Sequence, residues 1–171
     1  MFEPERHAEK RNFVESILRH IPGFRGYLEK EYRRDSDYLA RKWLADRLQG
    51  SKRGVDDYFR GLLDSGQIDA MTQLDRIRTR LDTVIAKMRG DVRGYSGFFD
   101  YVRIDEGVLD KVYDHDMSLI ADVDQFANTV ETLGVQSGSL QEVSTDLLRR
   151  LDEVDRNYAK RDEMLQGMST K

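Results

Sequence analysis

With 171 residues, 35% charged and 39% apolar side chains and only two prolines, the chain is sized for one domain and composed for long amphipathic helices, which excludes a disordered chain. It has no cysteine, so disulfides, thiolate zinc centres and cysteine nucleophiles are excluded, and a reducing compartment suits it. The formal net charge of −4 hides an asymmetry: residues 105–133 carry eight acids and one base, Lys111. That distribution favours pairing within or between subunits over a nucleic-acid surface.

The segment MFEPERHAEKRN is charged from its third residue and lacks the apolar core of a signal peptide, and no run approaches the ~18 apolar residues of a membrane span. The expectation is a soluble, cytoplasmic protein, with room for no membrane contact other than a peripheral one.

In chain order, the first predicted helix runs from about Glu5 to His20, with Phe13, Val14, Ile17 and Leu18 on one side. Ile21-Pro22-Gly23 ends it, because proline cannot continue the hydrogen-bond ladder and glycine permits the turn. A second helix is expected over about 25–48 with Leu28, Tyr32, Leu39 and Trp43 as its apolar stripe, Asp35 and Ser36 filling the missing rung, and Gln49–Gly54 as its stop. A third covers about 55–89 with a kink at Ser65–Gln67. Its seam is Ile68, Met71, Leu74, Ile77, Leu81, Val84 and Met88, at intervals of three and four.

The stretch RGYSGFFDYVRIDEG, Arg93–Gly107, follows as an aromatic, glycine-bearing loop whose Phe98, Phe99 and Tyr101 are expected to seal one end of the bundle. An acidic helix over about 105–133 comes next, with Asp105 and Glu106 favouring the positive end of its dipole. Gly134–Ser139 reads as a linker. The last helix, about 140–166, opens with a capping box from Ser139 to Glu142. Its stripe of Leu140, Val143, Leu147, Leu151, Val154 and Tyr158 is narrow enough to suit a coiled-coil partner. No strand-like alternation of useful length occurs, so the fold class is all-α, an antiparallel bundle of four to five helices. Residues 5–133 form its core and 140–166 an association helix.

Glu106, Asp110, Asp114, Asp124 and Glu131 share one outward face of the acidic helix, which reads as a solvated face pairing with Lys or Arg rather than a cation site. Asp116 falls inside the apolar arc, where a carboxylate must be paired, hydrogen-bonded or protonated. Two readings stay open for it. One is a polar core network; the other is a pocket near the aromatic loop built from Asp35, Ser36, Arg93, Tyr95 and Asp116. The histidines, His7, His20 and His115, are too scattered for a metal centre, and Glu-x-x-His, His-Glu-x-x-His and Gly-x-Ser-x-Gly patterns are absent. No cofactor and no metal is expected. Basic runs such as EYRRD alternate with acids, so nucleic acid is not an expected partner. The tripeptide RGY occurs at 25–27 and 93–95, with flanks that do not support an internal repeat.

IPGFRGYLEKEYRRDSDYL together with GYSGFFDYVRIDEGVLDKVYDHDMSLI, spanning roughly residues 21–130, resembles a family of small helical bacterial proteins of unknown function. The resemblance implies a neighbourhood of membrane-scaffold systems and transfers no catalytic residue. The reading that follows is a non-enzymatic helical scaffold or adaptor that binds a copy of itself or another helical protein through the stripe of its last helix. The alternatives are a ligand- or metal-binding bundle, enzymatic if the pocket exists, and a peripheral membrane scaffold.

Overall fold

The computed structural model describes residues 14–27, 29–90, 106–134 and 137–167. Among these the chain is all-α, in five helices: α1 over 14–20, α2 Lys30–Asp64, α3 Ala70–Gly90, α4 Glu106–Glu131 and α5 Leu140–Gly167. Helix α2 packs on α3 and α4, and α5 packs on the same two helices. The four long helices therefore form a ring in the order α2, α3, α5, α4, with α2 and α5 facing each other across one diagonal.

Contacts fix the directions. Lys52 pairs with Asp82 and Arg78 with Asp56, so α2 and α3 are antiparallel. Asn157 reaches Asp122 and Arg161 reaches Asp116, so α4 and α5 are antiparallel too. Tyr27 meets Tyr113 while Gly54 meets Val130, so α2 and α4 rise together from one end, the foot of the bundle. Helix α1 lies against this pair, and its Ile17, followed by Ile21 and Phe24, enters the common core. The stop after His20 is present where Pro22 and Gly23 predict it, with Gly23 at φ +87°.

The second helix departs from expectation at both ends. Residues 24–27 are not helical and α2 begins at Lys30. It then continues through Gln49–Gly54, the expected stop, to Asp64. Each interior glycine costs a helix about 1 kcal/mol, and packing offsets that cost here. Gly54 faces Val130 so closely that a Cβ would stand 2.7 Å from its Cγ1, and Ser51 is fully buried with its hydroxyl donating to Leu48 O at 2.6 Å. The expected kink at Ser65–Gln67 is instead the end of the helix. There Gln67 N donates to Leu62 O and Gly66 N to Leu63 O, both at 3.0 Å, the paired bonds that close a helix on a left-handed glycine.

The stripe expected for α2 is shifted by one position. Tyr32, Leu39 and Trp43 are half-buried at the rim, whereas Arg33, Ser36, Asp37, Ala40, Leu44, Leu48, Val55 and Phe59 are buried. Large side chains point to the wrong face because the true inward face carries charge at its lower end. The seam of α3 is seen from Leu74 to Met88, but Ile68 and Met71 are exposed at the α2–α3 turn.

The last helix, expected to stand outside the core of residues 5–133, packs within the common core. Val143, Leu147, Leu151, Val154 and Tyr158 are at most 5% exposed and Leu140 is half-buried, all in the same cluster as Leu81, Phe126 and Ile77. The stripe is narrow because α5 occupies one corner of a four-helix ring. Burying each such side chain is worth roughly 1.5–3 kcal/mol, and α5 obtains this from α3 and α4 of its own chain.

Candidate functional site

The foot of the bundle holds charge in its core. Asp37 and Arg41 lie one turn apart on α2, Asp116 lies on α4, Arg161 on α5, and Tyr27 precedes α2; all five are buried. Arg161 donates from Nε to Asp116 Oδ1 at 2.7 Å and from Nη2 to Asp37 Oδ1 at 2.6 Å, across the diagonal of the ring. The other Asp37 oxygen accepts Arg41 Nε at 2.9 Å, and Arg41 Nη1 reaches the α3 carbonyl of Met88 at 3.2 Å. The other Asp116 oxygen accepts the Tyr27 hydroxyl at 2.5 Å, which itself accepts Arg161 Nη2 at 3.1 Å. Two carboxylates thus meet two guanidiniums in charge-assisted contacts, with Arg161 bridging Asp37 and Asp116.

Tyr27 reaches this position because of its neighbour. Gly26 has φ +85°, and a Cβ there would sit 2.5 Å from the Tyr113 hydroxyl. Without one, that hydroxyl approaches and accepts Tyr27 N–H at 2.7 Å. The rings of Tyr27 and Tyr113 stack at 5.4 Å, and buried Arg33 donates to Tyr27 O at 2.6 Å. Burial, reinforced by the negative charge of Asp116, holds the Tyr27 hydroxyl well above its usual value of about 10. It therefore acts as a hydrogen-bond donor to Asp116 and not as a base.

Asp116 is buried, and its two oxygens meet Arg161 and Tyr27. Asp35 is exposed, so it is not a core residue. Ser36 is buried, but its Oγ accepts Arg25 N at 3.1 Å. Arg93 and Tyr95, with the aromatic loop, lie outside the described residues. On the acidic face, Asp114 is exposed and Asp110 half-buried, while Asp124 and Glu131 pair with Arg47 of α2 at 2.9 and 2.6 Å. Among the described residues no group of three or more His, Asp or Glu is placed to hold a metal ion, and no helix is long and apolar enough to cross a membrane.

Two open grooves flank α1. One of about 510 Å³ runs along α4 from Met117 to Thr132 beside His20. The other, about 320 Å³, lies between Pro22, Leu39 and Trp43. Neither contains the predicted site residues.

Sequence reasoning misses Tyr27, Asp37, Arg41 and Arg161. A signal for each charged one is present. Arg161 continues the α5 stripe three residues beyond Tyr158, and Asp37 and Arg41 are an i, i+4 pair on the face leading to Ala40 and Leu44. A charge that falls on the seam of one helix demands an opposite charge on another. No family model, no curated protein and no solved structure compared with the chain matches it.

Proposed function

We propose that this protein is a non-enzymatic helical scaffold or adaptor, acting by association with a copy of itself or with another helical protein. The observation that carries this reading is the state of Asp116. The carboxylate that would have served a ligand pocket is buried and has both oxygens taken by Arg161 and Tyr27, at 2.7 and 2.5 Å. Catalytic acids and bases need access to a reactant, and this group has none. The open grooves along α4 and beside Trp43 suit contact with another chain better than enclosure of a small molecule, which needs a concave and largely closed site.

The test is light scattering of the full chain over a range of concentrations, with identification of what copurifies, beside a thermal-shift screen of nucleotides and divalent ions. A concentration-dependent mass or a stoichiometric protein partner is the expected result. A strictly monomeric, partnerless chain stabilised by a nucleotide or an ion would overturn it, because any ligand that binds only the folded state raises its stability.

A further inference from the structure

We infer that the foot is a latch: the strap of residues 21–27, between α1 and α2, and the lower end of α5 are held by one set of side chains and open together as a unit, before the rest of the bundle. This goes beyond the association reading and is tested without a partner. The strap is not helical, so its backbone groups must find partners elsewhere. Phe24 N donates to Ile21 O at 3.2 Å. Arg25 N, however, donates to Ser36 Oγ at 3.1 Å and Tyr27 N to the Tyr113 hydroxyl at 2.7 Å, while Tyr27 O accepts Arg33 Nε at 2.6 Å. Side chains of α2 and α4 therefore hold the strap. Phe24 also packs edge-on against Tyr27 at 5.4 Å, which ties its ring to the same anchor.

The link to α5 is the Tyr27 hydroxyl. It donates to Asp116 Oδ2 at 2.5 Å and accepts Arg161 Nη2 at 3.1 Å, and Arg161 Nε holds the other oxygen of the same carboxylate at 2.7 Å. Strap and α5 thus share one carboxylate on α4 and meet each other directly, across 134 residues of sequence. Tyr27, Asp116 and Arg161 are at most 3% exposed, so water does not stand ready to replace a lost partner. If the strap lifts, Asp116 loses a donor; if the end of α5 lifts, Asp116 loses its guanidinium. Groups that share a buried network in this way are coupled, not additive. Helix α5 ends at Gly167, six residues beyond Arg161, and helix ends are where local opening begins. The latch also reaches the open surface, because His20 walls one groove while Ile21 and Pro22 line the other. By linkage, a ligand in either groove that alters the opening of the strap alters that of α5 with it.

Native-state hydrogen exchange of the full chain tests this. The amides of Arg25 and Tyr27 and those of residues 158–164 should report one shared opening equilibrium, at least about tenfold larger than that of residues 77–85 in α3. Two different openings, or a single one equal to that of α3, overturn the latch. In Tyr27→Phe, which leaves α5 itself unaltered, residues 158–164 should exchange faster by the same factor as Arg25; unchanged rates in α5 overturn the inference. Denaturant unfolding of Tyr27→Phe, Arg161→Lys and the double variant closes the cycle. The double variant should fold about tenfold more favourably than the two single effects multiplied together predict, and independent effects overturn the coupling. If Arg161→Lys fails to fold, the exchange of the unaltered chain and of Tyr27→Phe decides. A strictly monomeric, partnerless chain with linked exchange would remove the association reading and leave the latch in place.

Discussion

The two ends of the bundle solve the same packing problem with different chemistry. Away from the foot, Leu48, Val55, Phe59, Ile77, Leu81, Phe126 and Leu151 fill the core with hydrocarbon, and charge stays outside in pairs such as Arg47 with Asp124 and Arg78 with Asp56. At the foot, charge moves inside, and Arg161, Asp37, Asp116 and Arg41 occupy positions that leucines would otherwise hold. The apolar end tolerates small changes of rotation, because hydrocarbon contacts are non-directional. The ionic end does not, because a guanidinium and two carboxylates fit in one geometry. The contrast predicts that the apolar end supplies stability and the foot supplies register.

The largest expected effect separates these roles. Arg161→Ala strands Asp116, and removing one partner of a buried ion pair costs about 3–5 kcal/mol, measured by denaturant unfolding. Replacing the whole set together, Tyr27→Phe, Asp37→Leu, Arg41→Leu, Asp116→Leu and Arg161→Met, so that neither buried Arg41 nor the Tyr27 hydroxyl is left without its carboxylate, should leave stability near that of the parent protein, since an apolar substitute for a buried ion cluster is often neutral or stabilising. If that combined variant is as unstable as Arg161→Ala, the foot contributes stability and the contrast fails.

Two glycines of α2 sharpen the apolar side of the comparison with opposite signs. Gly54→Ala places a methyl 2.7 Å from Val130 Cγ1 and 3.3 Å from its carbonyl oxygen. A β-branched side chain in a helix cannot rotate away freely, so the substitution should cost about 1–3 kcal/mol. Val130→Ala in the same chain should recover part of the loss. At Gly61 an added methyl would meet nothing within 4 Å, and Gly61→Ala should stabilise by up to about 1 kcal/mol. Thermal melts of the two single variants test both signs.

The apolar end is legible in the sequence and the foot is not. The periodicity of α3, α4 and α5 names their buried faces, and Ser139 with Glu142 marks where α5 begins, because burial and capping leave local signatures. The course of α2 is obscured where local signals oppose tertiary ones. Gly50, Ser51 and Gly54 look like a stop, yet Gly54 is small because α4 passes against it. Asp116 is recognisable as an acid on an apolar face. Its partners are not, because a pairing between residues 37, 116 and 161 depends on how three helices are rotated, and a sequence taken helix by helix does not contain that. The stripe of α5 is plainly apolar in the sequence, but which neighbour covers it is hidden for the same reason.

The two ends also respond differently to pH. At the foot, burial raises the Tyr27 pKa well above 10, so between about pH 10 and that higher value the folded state keeps a proton that the unfolded chain has lost. Stability from this group is fully present below pH 10 and falls as pH rises further. Tyr27→Phe should be destabilising by about 1–3 kcal/mol at neutral pH, where Asp116 loses a donor, and should flatten the alkaline decline.

On the outer surface the sign reverses and the effect is smallest. Partial burial works to raise the Asp155 carboxyl, but Lys87 and Arg80 together outweigh it and hold the group below its usual range. Its contribution is present above the unfolded carboxylate pKa of about 4 and is lost as pH falls through the depressed value. Because Lys87 and Arg80 are 50% and 30% exposed, solvent screening keeps that contribution within about 1 kcal/mol. Asp155→Asn should therefore lower stability slightly at pH 7 and make no difference near pH 2, and about 0.5 M salt should shrink the gap between the two proteins at pH 7. The gap opened by Arg161→Ala should survive the same salt, because its charges lie out of reach of mobile ions. If both gaps shrank alike, Arg161 would be a surface pair in solution, and the distinction between a charged core at the foot and charged pairs around an apolar core would collapse.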